Sequence, residues 1–219
     1  RLDRMTRERD ALMGFIEQQA AAWSDVYQRF KGNETPNGPG STLAATEDLR
    51  DWLPSLFRRH GITSVLDAPC GNWNWMQHVD LAGIDYLGWD VEPAQVKENR
   101  RQFGRRKPKP RFEVANLLDG GPLPEVDLVL CRDFLIHLPN DQAQRVLARL
   151  TSGPRFLLTT TSPFAGNDRP CPDDGHDGRP GYWYHPINLE AAPFNLAGRV
   201  EALNEVGGHD LALFDLGGK

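Results

Sequence analysis

Cysteine is scarce in this chain: 219 residues carry only Cys70, Cys131 and Cys171. With neither an even count nor metal-ligand spacing, they exclude a disulfide framework and point to reduced thiols in a cytoplasmic protein. Long apolar runs are missing as well. No stretch approaches the ~18 residues of a membrane span and no signal-peptide pattern is visible, so no membrane partner is expected. Net positive charge is lacking too: 25 Lys and Arg against 30 Asp and Glu leave −5. A duplex-binding surface needs a net basic face, so no nucleic-acid partner is expected either. There is no internal repeat. The length fits one domain able to bury about 70% of its unfolded surface.

What is present centres on Ser64 to Met76, which reads Ser-Val-Leu-Asp-Ala-Pro-Cys-Gly-Asn-Trp-Asn-Trp-Met. An apolar run ends in Asp67, a Pro/Gly turn follows, and apolar residues resume, the pattern of a buried strand, a tight turn and a helix start. In an open α/β sheet a nucleotide-like ligand sits above such a junction. A second apolar run, Tyr86 to Trp89, ends in Asp90, placed to accept hydrogen bonds from a ribose. A dinucleotide-binding Gly-x-Gly-x-x-Gly is absent; only Gly71 stands in the turn.

Strand-Asp-x-Pro-x-Gly followed by a ribose acid resembles the class I S-adenosylmethionine (SAM)-dependent methyltransferases, and among them bacterial small-molecule and sugar O-methyltransferases. Their Asp-x-Gly-x-Gly-x-Gly motif is matched at Asp67 and Gly71, and Pro69 and Trp73 depart from it. The resemblance covers roughly residues 40 to 216. It implies an α/β, Rossmann-like doubly wound, mostly parallel seven-stranded sheet with a C-terminal antiparallel hairpin, plus an N-terminal helical extension. It also implies SAM as donor and S-adenosylhomocysteine (SAH) as product. The implied cofactor contacts are Gly40 and Ser41 for the methionine carboxylate, Asp67, Pro69, Gly71 and Trp73 in the turn, and Asp90 for the ribose. Asn116 and Leu117 are implied for the adenine, and Arg132 at the end of the fourth strand.

Along the chain, residues 1–40 form a helical lid or extension and 41–219 the main domain. Leu12, Ile16, Ala20, Trp23, Tyr27 and Phe30 give the first segment helical spacing. Ser41 and Thr42 are expected to cap the next helix, where Leu49, Trp52, Leu53, Leu56 and Phe57 share a face and Pro54 forces a kink or restart. Strands are expected at 62–67, 86–90, 112–115, 126–131 and 155–160. Helices follow at about 73–78, from Pro93 through Phe103, and from Asn140 to Leu150. Residues 162–181 have no helical period, as in a functional lid or a disordered loop. Two short strands near 199–205 and 211–216 flank a Gly207-Gly208 turn. The basic run from Arg105 to Arg111 reads as a solvated loop opposite the ligand end.

Methyl transfer from SAM needs alignment of donor and acceptor and, for a hydroxyl, removal of its proton. His137 is the expected general base, oriented by Asp133 if the fourth strand runs straight into a helix. Asp174 and His176 in the acidic loop, with Asp133, form an alternative Mg²⁺ site. Tyr27, Asp174, His176, Tyr182 and Trp183 are the expected substrate contacts. The resemblance leans toward O-methylation of a small molecule or saccharide hydroxyl, a mannoside or glycan end in an actinobacterium being the specific version. N- or carboxyl-methylation, or a non-catalytic SAM-binding module, stays open, as does homodimerisation.

Overall fold

The computed structural model describes residues 32–167, 184–205 and 207–217. Helix α1 (Glu47–His60) comes first and buries Leu49, Leu53, Leu56 and Phe57. Trp52 is half-buried at its edge. Pro54 does not restart the helix, which is continuous through it; burial of Leu53 and Leu56 on either side outweighs the single backbone bond that proline removes. Ser41 and Thr42 do not cap this helix. Ser41 ends a 3₁₀ turn (Pro39–Ser41), and the Thr42 hydroxyl accepts from the Ala45 amide at 3.2 Å. That bond closes a local turn before helical geometry begins. Leu53→Ala, at a fully buried position, should lower stability by about 2–5 kcal/mol, read as a drop in the urea midpoint at constant slope.

Seven strands form one sheet: β1 (Ser64–Asp67), β2 (Asp85–Asp90), β3 (Arg111–Val114), β4 (Leu128–Cys131), β5 (Phe156–Thr161), β6 (Arg199–Glu205) and β7 (His209–Asp215). Their order is β3-β2-β1-β4-β5-β7-β6. The first five are parallel neighbours, whereas β7 runs antiparallel to both β5 and β6. Period-two alternation sorts side chains to two layers. Val65, Leu128 and Leu130 face α1 and α2 (Pro93–Phe103), while Leu66, Val129 and Cys131 face α3 (Asn140–Leu150). Both faces are therefore covered, which is why these strands read as continuous apolar runs. The expected fold stands, with strand ends moved by one or two residues.

Gly88 shows how tightly the first layer closes. A Cβ there would lie 2.9 Å from both Cys70 Sγ and Phe112 Cδ1. The short helix expected at 73–78 is a turn followed by a 3₁₀ segment (Met76–His78). Trp73 has a positive φ of 58° and its ring packs against Tyr86, Phe103 and Phe112. A non-glycine residue in that region interrupts helical geometry. No helix lies between β5 and β6 among the described residues. None of the described helices is long and apolar enough to cross a membrane.

Candidate functional site

The order of strands reverses at β1, which pairs with β2 on one side and β4 on the other. Ligands of open α/β sheets bind in the crevice at such a point, outside the carboxyl ends. A cavity of about 430 Å³ opens there, within the range of small-molecule sites.

One end of the cavity is built on Asp90. One carboxylate oxygen accepts from the Gly71 amide at 2.9 Å and the other from the Glu92 amide at 3.0 Å. Asn99 donates to the Gly71 carbonyl at 2.7 Å, so the turn after β1 is tied to both β2 and α2. Gly71 has φ +53°, and a Cβ there would run into the Asn37 carboxamide. Asn37 in turn accepts from the Asn72 amide at 3.0 Å, and Glu34 accepts from Asn74 at 2.8 Å. Residues 37–41 thus form one wall of the cavity, across the boundary expected at residue 40. Asn116 Oδ1 caps the next 3₁₀ segment by accepting from the Leu118 amide at 2.9 Å.

Burial dominates the electrostatics. Asp67, 3% exposed, is pushed up to about 7 by desolvation, against the hydrogen bond it accepts from the Tyr86 hydroxyl. Asp90 is pushed up to about 6, again chiefly by burial and against the amides of Glu92 and Gly71. A carboxyl whose folded pKa is raised binds more protons folded than unfolded, so stability falls as pH rises from about 4 to 7. Asp67→Asn should flatten that slope, which for one group reaches about 1.4 kcal/mol per pH unit; chemical denaturation at pH 4.5, 5.5 and 6.5 reads it.

At the other end, beyond β4, Arg132 holds a buried charge group together. Its guanidinium donates to Glu205 at 2.8 Å, to the Gly40 carbonyl at 3.0 Å, and lies 3.1 Å from Asp133. Arg132 and Glu205 side chains are 8% and 3% exposed. Asp133 takes positive φ, 52°, so β4 does not run straight into a helix; the next element is a 3₁₀ turn, Leu135–His137. The Asp133 carboxylate consequently meets Arg132, Thr160 at 3.0 Å and His209 at 3.8 Å rather than His137. The His137 ring stands 5.8 Å from that of Tyr184.

Asp133, Glu205 and His209 are the one group among the described residues whose metal-ligand-type atoms lie within 4.8 Å of one another. Arg132 already neutralises both carboxylates, and a divalent ion beside it would meet that guanidinium.

All ten expected cofactor residues line this single cavity: Gly40, Ser41, Asp67, Pro69, Gly71, Trp73, Asp90, Asn116, Leu117 and Arg132. So do Asp133 and His137. Trp73 lines it while its indole is committed to the core. Tyr27, Asp174, His176, Tyr182 and Trp183 lie outside the described residues, which removes two of the three expected Mg²⁺ ligands from view. Asn37, Trp75, Trp89, Glu205 and His209 were not anticipated. Glu205 and His209 sit in the C-terminal hairpin, where no local pattern signals a site.

Residues 65–152 match the family described as a methyltransferase domain. Those residues carry a methyltransferase domain. Over 122 residues it is 30% identical to glycine N-methyltransferase of Mus musculus, a match covering 50% of this chain and 42% of that protein. The chain thus spans less than half the length of that curated relative. Among solved structures, magnesium protoporphyrin IX methyltransferase from Synechocystis PCC 6803 with bound SAH is similar at a TM-score of 0.59 and 15% identity. That alignment covers 89% of this chain and 94% of the other. An O-methyltransferase family protein from Burkholderia thailandensis gives a TM-score of 0.55 at 19% identity, over 78% of this chain and 55% of that one.

Proposed function

We propose that the chain is a SAM-dependent methyltransferase that transfers a methyl group to a hydroxyl of a small molecule or saccharide. One observation carries the reading: the implied cofactor contacts come from five separate stretches of sequence yet line one cavity at the sheet's switch point. SAM would lie across the tips of β1, β2 and β3, with its sulfonium toward β4. SAM supplies an activated methyl group; the chain's own residues bind, orient and remove a proton. In this reading Asp90 organises the ribose end and holds the turn at Gly71. Asn116, with its Oδ1 already accepting one amide, retains its Nδ2 donor and a second lone pair for the adenine. Leu117 packs on the ring.

The acceptor would enter between Asp133, His137 and Tyr184, with Trp75 behind Arg132, whose guanidinium stands 5.9 Å from that indole. Magnesium is not part of this reading, because Arg132 already supplies the positive charge at Asp133. The name of the mouse relative supports a second reading, transfer to an amine, which needs a neutral acceptor nitrogen in place of a strong base. Buried free Cys70 and Cys131 suit a reducing compartment.

Calorimetry with SAH and NAD is the test of the donor. Saturable SAH binding without NAD binding is expected, and preference for NAD would contradict the reading. Transfer of labelled methyl from SAM to methyl α-mannoside, catechol or glycine then ranks the acceptor classes.

A further inference from the structure

We propose that His209 is the general base of the transfer, its Nε2 held by the carboxylates of Glu205 and Asp133 and its Nδ1 left for the acceptor's proton. The inference rests on the methyltransferase reading above and adds to it a base from the C-terminal hairpin. His209 opens β7, immediately after the Gly207-Gly208 turn, and both His209 and Gly207 line the cavity. Its Nε2 is fully buried, 3.6 Å from Glu205 Oε2 and 3.8 Å from Asp133 Oδ1. Those are ion-pair separations, just beyond hydrogen-bond length, and both Nε2 and Glu205 Oε2 lack a hydrogen bond. Nδ1 has no protein partner and, unlike Nε2, is not fully buried.

The two ring nitrogens therefore have different surroundings. Two carboxylates fix the Nε2–H tautomer, and the tautomer leaves a lone pair on Nδ1. This is the arrangement in which an acid orients an imidazole and the opposite nitrogen takes a proton. Arg132 sits behind it. It pairs with both carboxylates, Asp133 at 3.1 Å and Glu205 at 2.8 Å, and so holds them in place. Four charges balance once His209 is protonated: Arg132 and His209 positive, Asp133 and Glu205 negative.

The step closes chemically. The acceptor hydroxyl oxygen attacks the methyl carbon, a C–O bond forms, and the C–S bond breaks with its electron pair passing to sulfur as neutral SAH. The hydroxyl proton moves to His209 Nδ1, and the imidazolium so formed faces Glu205 and Asp133 before releasing the proton to water. The same pair raises the His209 pKa above its ordinary value, Glu205 contributing most, with burial and Arg132 opposing. A raised pKa makes the imidazole a stronger base toward the acceptor's proton.

Two readouts on the full chain test the assignment. Long-range ¹H–¹⁵N correlation spectra of histidine-labelled protein with SAH should show His209 protonated at Nε2 alone above its pKa, and E205Q should lower that pKa. A ring protonated at Nδ1, or a titration untouched by E205Q, overturns the proposal whatever the acceptor. With methyl α-mannoside as probe acceptor, H209Q should cut kcat on the order of 10² or more while SAH affinity stays within about twofold. Undiminished kcat in H209Q overturns the base assignment. A wild-type chain that binds no SAH would instead sink the methyltransferase reading, so the two failures are distinct.

Discussion

Arg132→Met should unfold at markedly lower denaturant than the wild type, with a loss of about 3–5 kcal/mol. Among the described residues, Arg132 is the one Lys or Arg paired with both Glu205 and Asp133, and the Glu205 side chain is only 3% exposed. Removing the guanidinium leaves a buried carboxylate opposed, among the described residues, by His209 at 3.6 Å and strips a donor from the Gly40 carbonyl. Adding Glu205→Gln to Arg132→Met should recover part of the loss, because the orphaned charge goes with it. Urea unfolding of the wild type, both single variants and the double variant measures the coupling. A double variant no more stable than Arg132→Met would show that the buried charge is not what destabilises it.

Asp90→Ala should weaken SAH binding by about 1–3 kcal/mol, the cost of leaving buried partners unpaired, and should lower stability by a similar amount. The stability loss arises because Gly71 and Glu92 amides each donate to this carboxylate, and alanine offers neither an acceptor. Asp90→Asn keeps one acceptor oxygen and should fall between the two. Titration calorimetry with SAH, run beside thermal unfolding, separates the two effects. Full SAH affinity in Asp90→Ala would remove this residue from the cofactor site.

Much of the fold was legible because its signals are local. Val65, Leu66, Leu128, Val129 and Leu130 are apolar on both faces, as central parallel strands are, and Pro93 sits where a helix begins. That Asp67, Asp90 and Asn116 line one cavity at neighbouring strand tips was legible for the same reason, since each ends an apolar run. The surroundings of Asp133 were not. Asp133 was expected beside His137 on the assumption of a continuous strand-to-helix passage, whereas its positive φ turns the carboxylate toward Arg132, Thr160 and His209. Glu205 and His209 meet Asp133 only because β7 inserts antiparallel between β5 and β6, a pairing between residues more than seventy positions apart. Pro54 does not restart its helix for a related reason, since backbone propensity is weak beside the burial of Leu53, Leu56 and Phe57.

A crystal structure of the full chain with SAH tests the central claim most directly. The account requires the adenine beside Asn116 and Leu117, the ribose at the Asp90 end, the amino-acid moiety near Gly40 and Ser41, and the sulfur facing the space between Asp133 and His209. An adenosyl group bound elsewhere, or a cleft left empty at saturating SAH, would contradict it.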